Sequence, residues 1–390
     1  MSVEAFVSPI QRLGRAQRAI RTTCSALGTL LLAALAPVGS AQAQDIVLGQ
    51  SVALSGPAQE LGKEMNLGAR AYFDAVNASG GIKGKRIVLR ALDDGYEPAR
   101  AEANTKKFVD DGDVLALFGY VGTPTSAAAI PVATKARLPF FGAFTGAELL
   151  RSPFNRYVFN VRASYFDETE AIVRQMTQGG VTRVAVFYQN DSYGQAGLAG
   201  VERALTKRNL QVAAKATVER NSTDVAAAVA AMLAAKPEVI VMISAYASCS
   251  EFIKQSKAKE LATRYVNVSF VGTRALAKAL GAAADGVMIS QVMPPPTANK
   301  YPIVGEYQRA MRAAGVNDLS YTSLEGYVAA KVFAEALRRG GDVSREALIK
   351  ALEGLRVDLG GFTATFASDN HNASKYVEMT VLNKAGEIRY

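Results

Sequence analysis

From residue 45 onward, short unbroken apolar runs alternate with longer amphipathic stretches, and few folds accommodate that alternation. Runs at 45–54, 86–92, 114–118, 138–141, 157–161, 183–188, 212–218, 239–243, 268–271 and 286–291 read as strands. Between them, 62–77, 98–110, 169–178, 195–208 and 224–235 carry helical spacing of apolar residues. A run such as Val239-Ile240-Val241-Met242-Ile243 has no polar side to turn toward water, so it suits a strand covered on both faces. The sustained alternation predicts an α/β fold of parallel sheets with helices on both sides.

The pattern changes after Gln291. Residues 293–297 (MPPPT) hold three prolines, which fix φ and remove donors, so they read as a stiff crossover. Helices follow at 301–314, 322–338 and 344–352, then β-like runs at 362–366 and 376–382. Two αβ blocks and a dividing tail outline two lobes, 45–162 with 293–358 and 163–292 with 359–390. A cleft between lobes is a favoured ligand site.

Residues 1–43 read as an export signal. Arg12, Arg15, Arg18 and Arg21 precede a short apolar core at 26–36, and Ala41-Gln42-Ala43 forms a small-x-small site, with cleavage expected after Ala43. The core is too short for a bilayer span, which takes about 20 residues. Cys24 lies before the core, where a lipid-anchored cysteine would not. Removing four arginines and Glu4 lowers the net charge from +9 to +6, with Lys and Arg scattered among acids. No basic stripe with aromatic platforms points to nucleic acid. Only Cys249 follows the signal, so no internal disulfide is available, and it reads as a small buried residue. His371 is the one histidine, within SDNHNASK, which reads as a polar turn. Neither a metal site nor a Ser/His or Cys/His device is expected.

In doubly wound sheets ligands bind beyond the carboxyl ends of strands. After the third strand stands Gly119-Tyr120-Val121-Gly122-Thr123-Pro124, where Thr123 suits an N-cap and Pro124 a first helical residue. Such a helix start offers free N–H groups to an anion, though it also reads as plain capping. Thr145 and Glu148, in Gly142-Ala143-Phe144-Thr145-Gly146-Ala147-Glu148, form a T-x-x-E capping box, suggesting a second helix start beside the first. Tyr165, Tyr193 and Tyr246 follow later strands. Gly194, Gly197 and Gly200 have the wrong spacing for a dinucleotide loop, and no phosphate-loop, nucleophile-elbow or zinc-helix motif occurs, so no cofactor is expected.

Several motifs, in order, resemble the leucine/isoleucine/valine-binding protein family, the periplasmic receptors of branched-chain amino-acid-type ABC importers. They are SxxLSGP at 51–57, LGA at 67–69, NASGGIKGK at 77–85, LDDGYEP at 92–98, FTGAE at 144–148, NDSYGQAG at 190–197 and EGYVAAKV at 325–332. The resemblance covers essentially the whole chain after the signal. It implies two Rossmann-like lobes with three crossovers, the type I periplasmic binding fold, closing on a ligand as a hinged trap. It also implies that Thr123 and Thr145, beside Gly122 and with backbone from Ala143 or Phe144, hold a ligand carboxylate. Leu61 would wall the first lobe's pocket, and Tyr193 and Tyr246 would close over the ligand from the second lobe. ABC permease subunits are the implied partners of a monomer.

Two departures stand out. The family's disulfide would fall at Tyr96 and Gly122, and Arg274 occupies the position of a glutamate that receives an ammonium. An arginine there repels an ammonium and suits a carboxylate, so an organic acid without an α-amino group is the expected ligand, Glu325 being the one candidate to replace the missing glutamate. The expected function is capture and delivery of a small acid. A ligand sensor on the same fold is the alternative, and an acid/base enzyme using Asp93 and Asp94 is disfavoured, because Asp-Asp-Gly at a strand end more often makes a turn.

Overall fold

The computed structural model describes residues 44–390, so the expected export signal, the expected cleavage after Ala43 and Cys24 lie outside the described residues. The chain opens with β1 (Ile46–Val52), α1 (Gln59–Ala78), β2 (Ile87–Asp93), α2 (Pro98–Asp111), β3 (Val114–Phe118), α3 (Thr123–Lys135), β4 (Phe140–Phe141) and β5 (Val158–Phe159). Next come α4 (Tyr165–Gln178), β6 (Val184–Gln189), α5 (Ser192–Thr206), β7 (Ala214–Val218), α6 (Ala226–Ala235) and β8 (Val239–Ile243). Then follow α7 (Tyr246–Ala258), β9 (Arg264–Asn267), α8 (Thr273–Leu280) and β10 (Met288–Gln291). The last elements are α9 (Pro302–Ala313), α10 (Tyr321–Arg339), α11 (Arg345–Glu353), β11 (Arg356–Asp358), β12 (Thr363–Thr365), β13 (Glu378–Leu382) and β14 (Ile388–Arg389).

The first sheet runs β2-β1-β3-β4-β5 and is parallel throughout. The second runs β14-β13-β10-β9-β8-β6-β7, with β6 to β10 parallel and β13 and β14 joining antiparallel at one edge. Every residue of β8 is buried, as an unbroken apolar strand between two helix layers must be. The path between sheets passes after β5, through the proline-rich stretch after β10, and again between β12 and β13.

Helix α10 returns to the first sheet, where Phe333 meets Phe118 and Phe141 edge-on at 5.8 and 5.2 Å. It lies so close to α1 that a Cβ on Gly68 would overlap the Ser323 carbonyl, and one on Gly326 would overlap that of Met65. Only glycine permits this approach. The β11–β12 ribbon leads into Phe366, which packs on Phe141 and Phe159 of the first sheet.

Three local expectations are corrected. The strand expected at 268–271 is a 3₁₀ turn, Ser269–Val271, and its strand lies earlier in β9. Here the Ser269 N–H donates to Glu168 instead of to a ladder. Helices α7 and α8 have no counterpart among the expected elements. His371 is not in a solvated turn: its ring stacks on Phe159 at 3.8 Å, its Nδ1 lies 3.1 Å from the Val158 carbonyl oxygen, and burial lowers its pKa. The Asn160 N–H donates to the His371 carbonyl, drawing that segment against the sheet edge. Among the described residues, no helix is long and apolar enough to cross a membrane.

Candidate functional site

The loops after β3 and β4 lie side by side, because β3 and β4 pair in register. Val121 bridges Phe144, and the Phe144 N–H donates to the Tyr120 carbonyl at 2.7 Å. Gly122 has φ +104, and its Cα faces the Tyr96 ring so closely that any side chain there would collide. The positions where the resemblance places a disulfide therefore do adjoin, joined by packing instead.

Gly122, not Thr123, caps α3; Thr123 is the first helical residue and makes no capping bond. Its Oγ1 lies 2.7 Å from Thr145 Oγ1, so the hydroxyl faces the neighbouring loop instead of its own backbone. The expected capping box at Thr145 and Glu148 is also corrected. Only a three-residue 3₁₀ turn, Glu148–Leu150, forms there, and Thr145 Oγ1 instead donates to Tyr165 Oη at 3.3 Å. Of these two loops, only the first opens an α-helix. Of the backbone expected from Ala143 or Phe144, the Phe144 N–H is engaged within the chain, on the Tyr120 carbonyl.

Tyr165 opens α4, set by Ser164, whose side chain forms a reciprocal capping box with Asp167. Tyr193 sits in the first turn of α5, where the Asp191 carboxylate accepts its N–H at 2.9 Å. The two tyrosine rings are 5.5 Å apart, and Tyr193 lies 4.6 Å from Phe270. Phe270 in turn reaches Phe144 at 5.3 Å and Tyr96 at 6.0 Å. All five aromatic side chains are fully buried, or nearly so. They form one aromatic cluster that meets the Thr123–Thr145 pair through Tyr165, and the Tyr193 hydroxyl has no hydrogen-bond partner.

Beside these rings lies a buried charge cluster. Arg162, fully buried, stands over the Phe144 ring with Cζ 4.8 Å from its centroid. It donates to Ser269 Oγ; its Nη2 is 3.4 Å from Glu168 Oε1 and its Nε is 3.6 Å from Glu325 Oε1. Glu168 Oε2 also accepts from the Ser269 N–H at 2.8 Å and Ser290 Oγ at 2.6 Å. Burial works against the Arg162 charge, yet Glu325 and Glu168 raise its pKa above the ordinary value. Burial pushes the Glu325 carboxyl up to about 7. A cavity of about 10 Å³, near the size of one water, is shared by Glu325, Phe144, Ser269 and Gln291. Arg162, Glu168 and Phe270 were not among the residues singled out from the sequence. Their signal was faint: an arginine closing the apolar run VFNV.

Of the remaining expected residues, Tyr246 and Arg274 border a separate groove of about 370 Å³, with Glu60, Glu64 and Lys278. Arg274 spends its guanidinium on Glu64 at 2.6 Å and Asp318 at 2.9 Å, and Glu64 also accepts from Ser320 Oγ. Leu61 packs against Gly272, bringing α1 onto the start of α8. Asp93 accepts from Leu54 N, Ser55 and Gly95 N, while Asp94 accepts from Ser51 Oγ and Tyr96 N, so both carboxylates are bound into the turn. Cys249 is fully buried, its Sγ 3.4 Å from the Ser244 carbonyl, and burial pushes its thiol pKa up.

The profile of the periplasmic binding protein family matches residues 45–387. The chain is 26% identical to the Leu/Ile/Val-binding protein homolog 7 of Brucella melitensis over 369 residues, spanning 88% of this chain and 89% of that one. Among solved structures it is similar to a possible leucine/isoleucine/valine-binding protein from Rhodopirellula baltica, at 37% identity and a TM-score of 0.86, covering 90% of this chain and 97% of the other. It is also similar to a substrate-binding periplasmic protein from Ralstonia solanacearum, at 35% identity and a TM-score of 0.83, covering 88% and 99%.

Proposed function

Because the chain belongs to the periplasmic binding protein family, we propose that it captures a small carboxylate-bearing ligand between its two sheets and delivers it to an ABC permease. The observation that carries this reading is the buried Thr123–Thr145 hydroxyl pair, set at the strand ends of one sheet and faced by Tyr165, Tyr193 and Phe270 of the other. Hydroxyl donors in an apolar, water-poor setting favour an anion headgroup, and the aromatic wall favours an apolar body. The elements carrying β1–β5 and those carrying β6–β10 would move as two bodies about the chain passes that join them, shutting the ligand in. Capture and release require no bond chemistry. The resemblances to leucine-binding relatives support a ligand of amino-acid size. Export before capture, with cleavage near Ala43, belongs to the same reading.

Titration calorimetry with small carboxylates, paired with small-angle scattering, tests it. Binding accompanied by compaction is expected. Heat of binding with no change in scattering would contradict the trap.

A further inference from the structure

Two buried polar side chains at this site have donors to spare. Arg162 Nη1 and Nε have no hydrogen-bond acceptor, although the residue is wholly removed from water, and neither does the Tyr193 hydroxyl. Buried donors are nearly always paired, so unpaired ones ask what completes them. Glu168 does not: its oxygens serve Ser269, Ser290 and Arg162 Nη2. Glu325 lies 3.6 Å from Nε, beyond hydrogen-bond length. Among the described residues nothing satisfies Nη1.

We infer that Arg162 is the residue that recognises the ligand's charge, its free Nη1 donating to the carboxylate of a small organic acid, with the Tyr193 hydroxyl as a second donor. This rests on the ligand-binding reading above and assigns its specificity. Tyr165 ties the arginine to the threonine pair, since it accepts from Thr145 Oγ1 at 3.3 Å and feels the Arg162 charge directly. The Phe144 ring that Arg162 covers is the same ring that meets Phe270, so the guanidinium and the aromatic wall belong to one subsite. Arg274, expected from the sequence to meet the ligand, has all three of its guanidinium nitrogens within 2.9 Å of a Glu64 or Asp318 carboxylate oxygen, whereas Arg162 bonds only through Nη2. An arginine keeps its charge when buried, and in a low-dielectric setting a charge-assisted bond from it outweighs a neutral one. A neutral amide of the same shape would gain little from it.

Calorimetry on the full chain after residue 43 decides this with defined probes: benzoate, hexanoate, 4-methyl-2-oxopentanoate and leucine, with benzamide and hexanamide as neutral partners. Wild type is expected to bind at least one acid, with its amide thirtyfold or more weaker. Arg162→Gln should lose thirtyfold or more for that acid and no longer separate acid from amide, while Arg162→Lys recovers part of the discrimination. Tyr193→Phe should weaken the acid about threefold to tenfold. If Arg162→Gln is folded by circular dichroism and binds the acid within threefold of wild type, Arg162 is structural and the inference fails, while the trap survives. Should that variant not fold, wild type decides alone: equal affinity for acid and amide overturns the assignment. If no probe binds or compacts the wild type, the trap reading fails and this inference with it.

Discussion

The Glu325 carboxyl, 4% exposed beside Arg162 and Glu168, makes folding depend on pH in an unusual direction. Its folded pKa of about 7 stands above the ordinary 4.5, so between those values the folded chain holds a proton that the unfolded chain has released. Stability then falls as pH rises through this window, by at most roughly 3 kcal/mol. Asp94, buried and raised to about 6, adds a loss of the same sign between about 4 and 6. Urea midpoints followed by circular dichroism are expected to drop from pH 5 to pH 7.5. Glu325→Gln should flatten the part above pH 6, and an unchanged slope there would show that the carboxyl is not the source. At this scale the sequence is partly legible. Thr123, Thr145 and Tyr193 can be picked out because each stands just beyond a strand run, where the fold class places ligands. Arg162, Glu168 and Phe270 cannot, because their roles arise only when segments over a hundred residues apart meet, as Glu168 and Ser269 do.

Among elements, the packing of α1 on α10 rests on two glycines whose hydrogens face carbonyl oxygens of the partner helix. A methyl group has nowhere to go there, since backbone cannot yield as a side-chain tip can. Gly68→Ala is expected to cost about 3 kcal/mol, and Gly326→Ala a similar amount. The chain holds no tryptophan, so guanidinium titration by circular dichroism is the measurement. A loss below about 0.5 kcal/mol for both would mean that the helices slide apart freely. The long helices were legible from their spacing, and β8 from its unbroken run. The two-residue strands β4 and β5 were overextended, because their neighbours fit a strand pattern but turn away into the site loops. The helix start expected at Thr145 failed for a related reason: its hydroxyl is drawn to Thr123 and Tyr165.

At the scale of the molecule, polar contacts join the loops of one sheet to those of the other. Arg220 meets Glu97 at 2.9 Å, Asn221 donates to Glu97 and to the Gly95 carbonyl, and Gln189 donates to Tyr96 Oη. These contacts favour the closed arrangement in which they are made. Replacing Arg220 and Asn221 together by alanine is expected to enlarge the ligand-free radius of gyration and weaken ligand binding several-fold, since closure would then draw more heavily on ligand contacts. Identical scattering curves for variant and wild type would rule these contacts out as a latch. The alternation of strands and helices made two αβ blocks legible, but not the order of strands within each sheet, which depends on pairing between distant segments. Burial of Cys249 has a practical side. The one thiol after residue 43 is walled off and held in its unreactive form, so a dye placed through Lys278→Cys, at the exposed edge of the groove, would attach at a single position without the native cysteine being replaced. The molecule is in this sense already prepared to be made into an optical reporter of its own ligand.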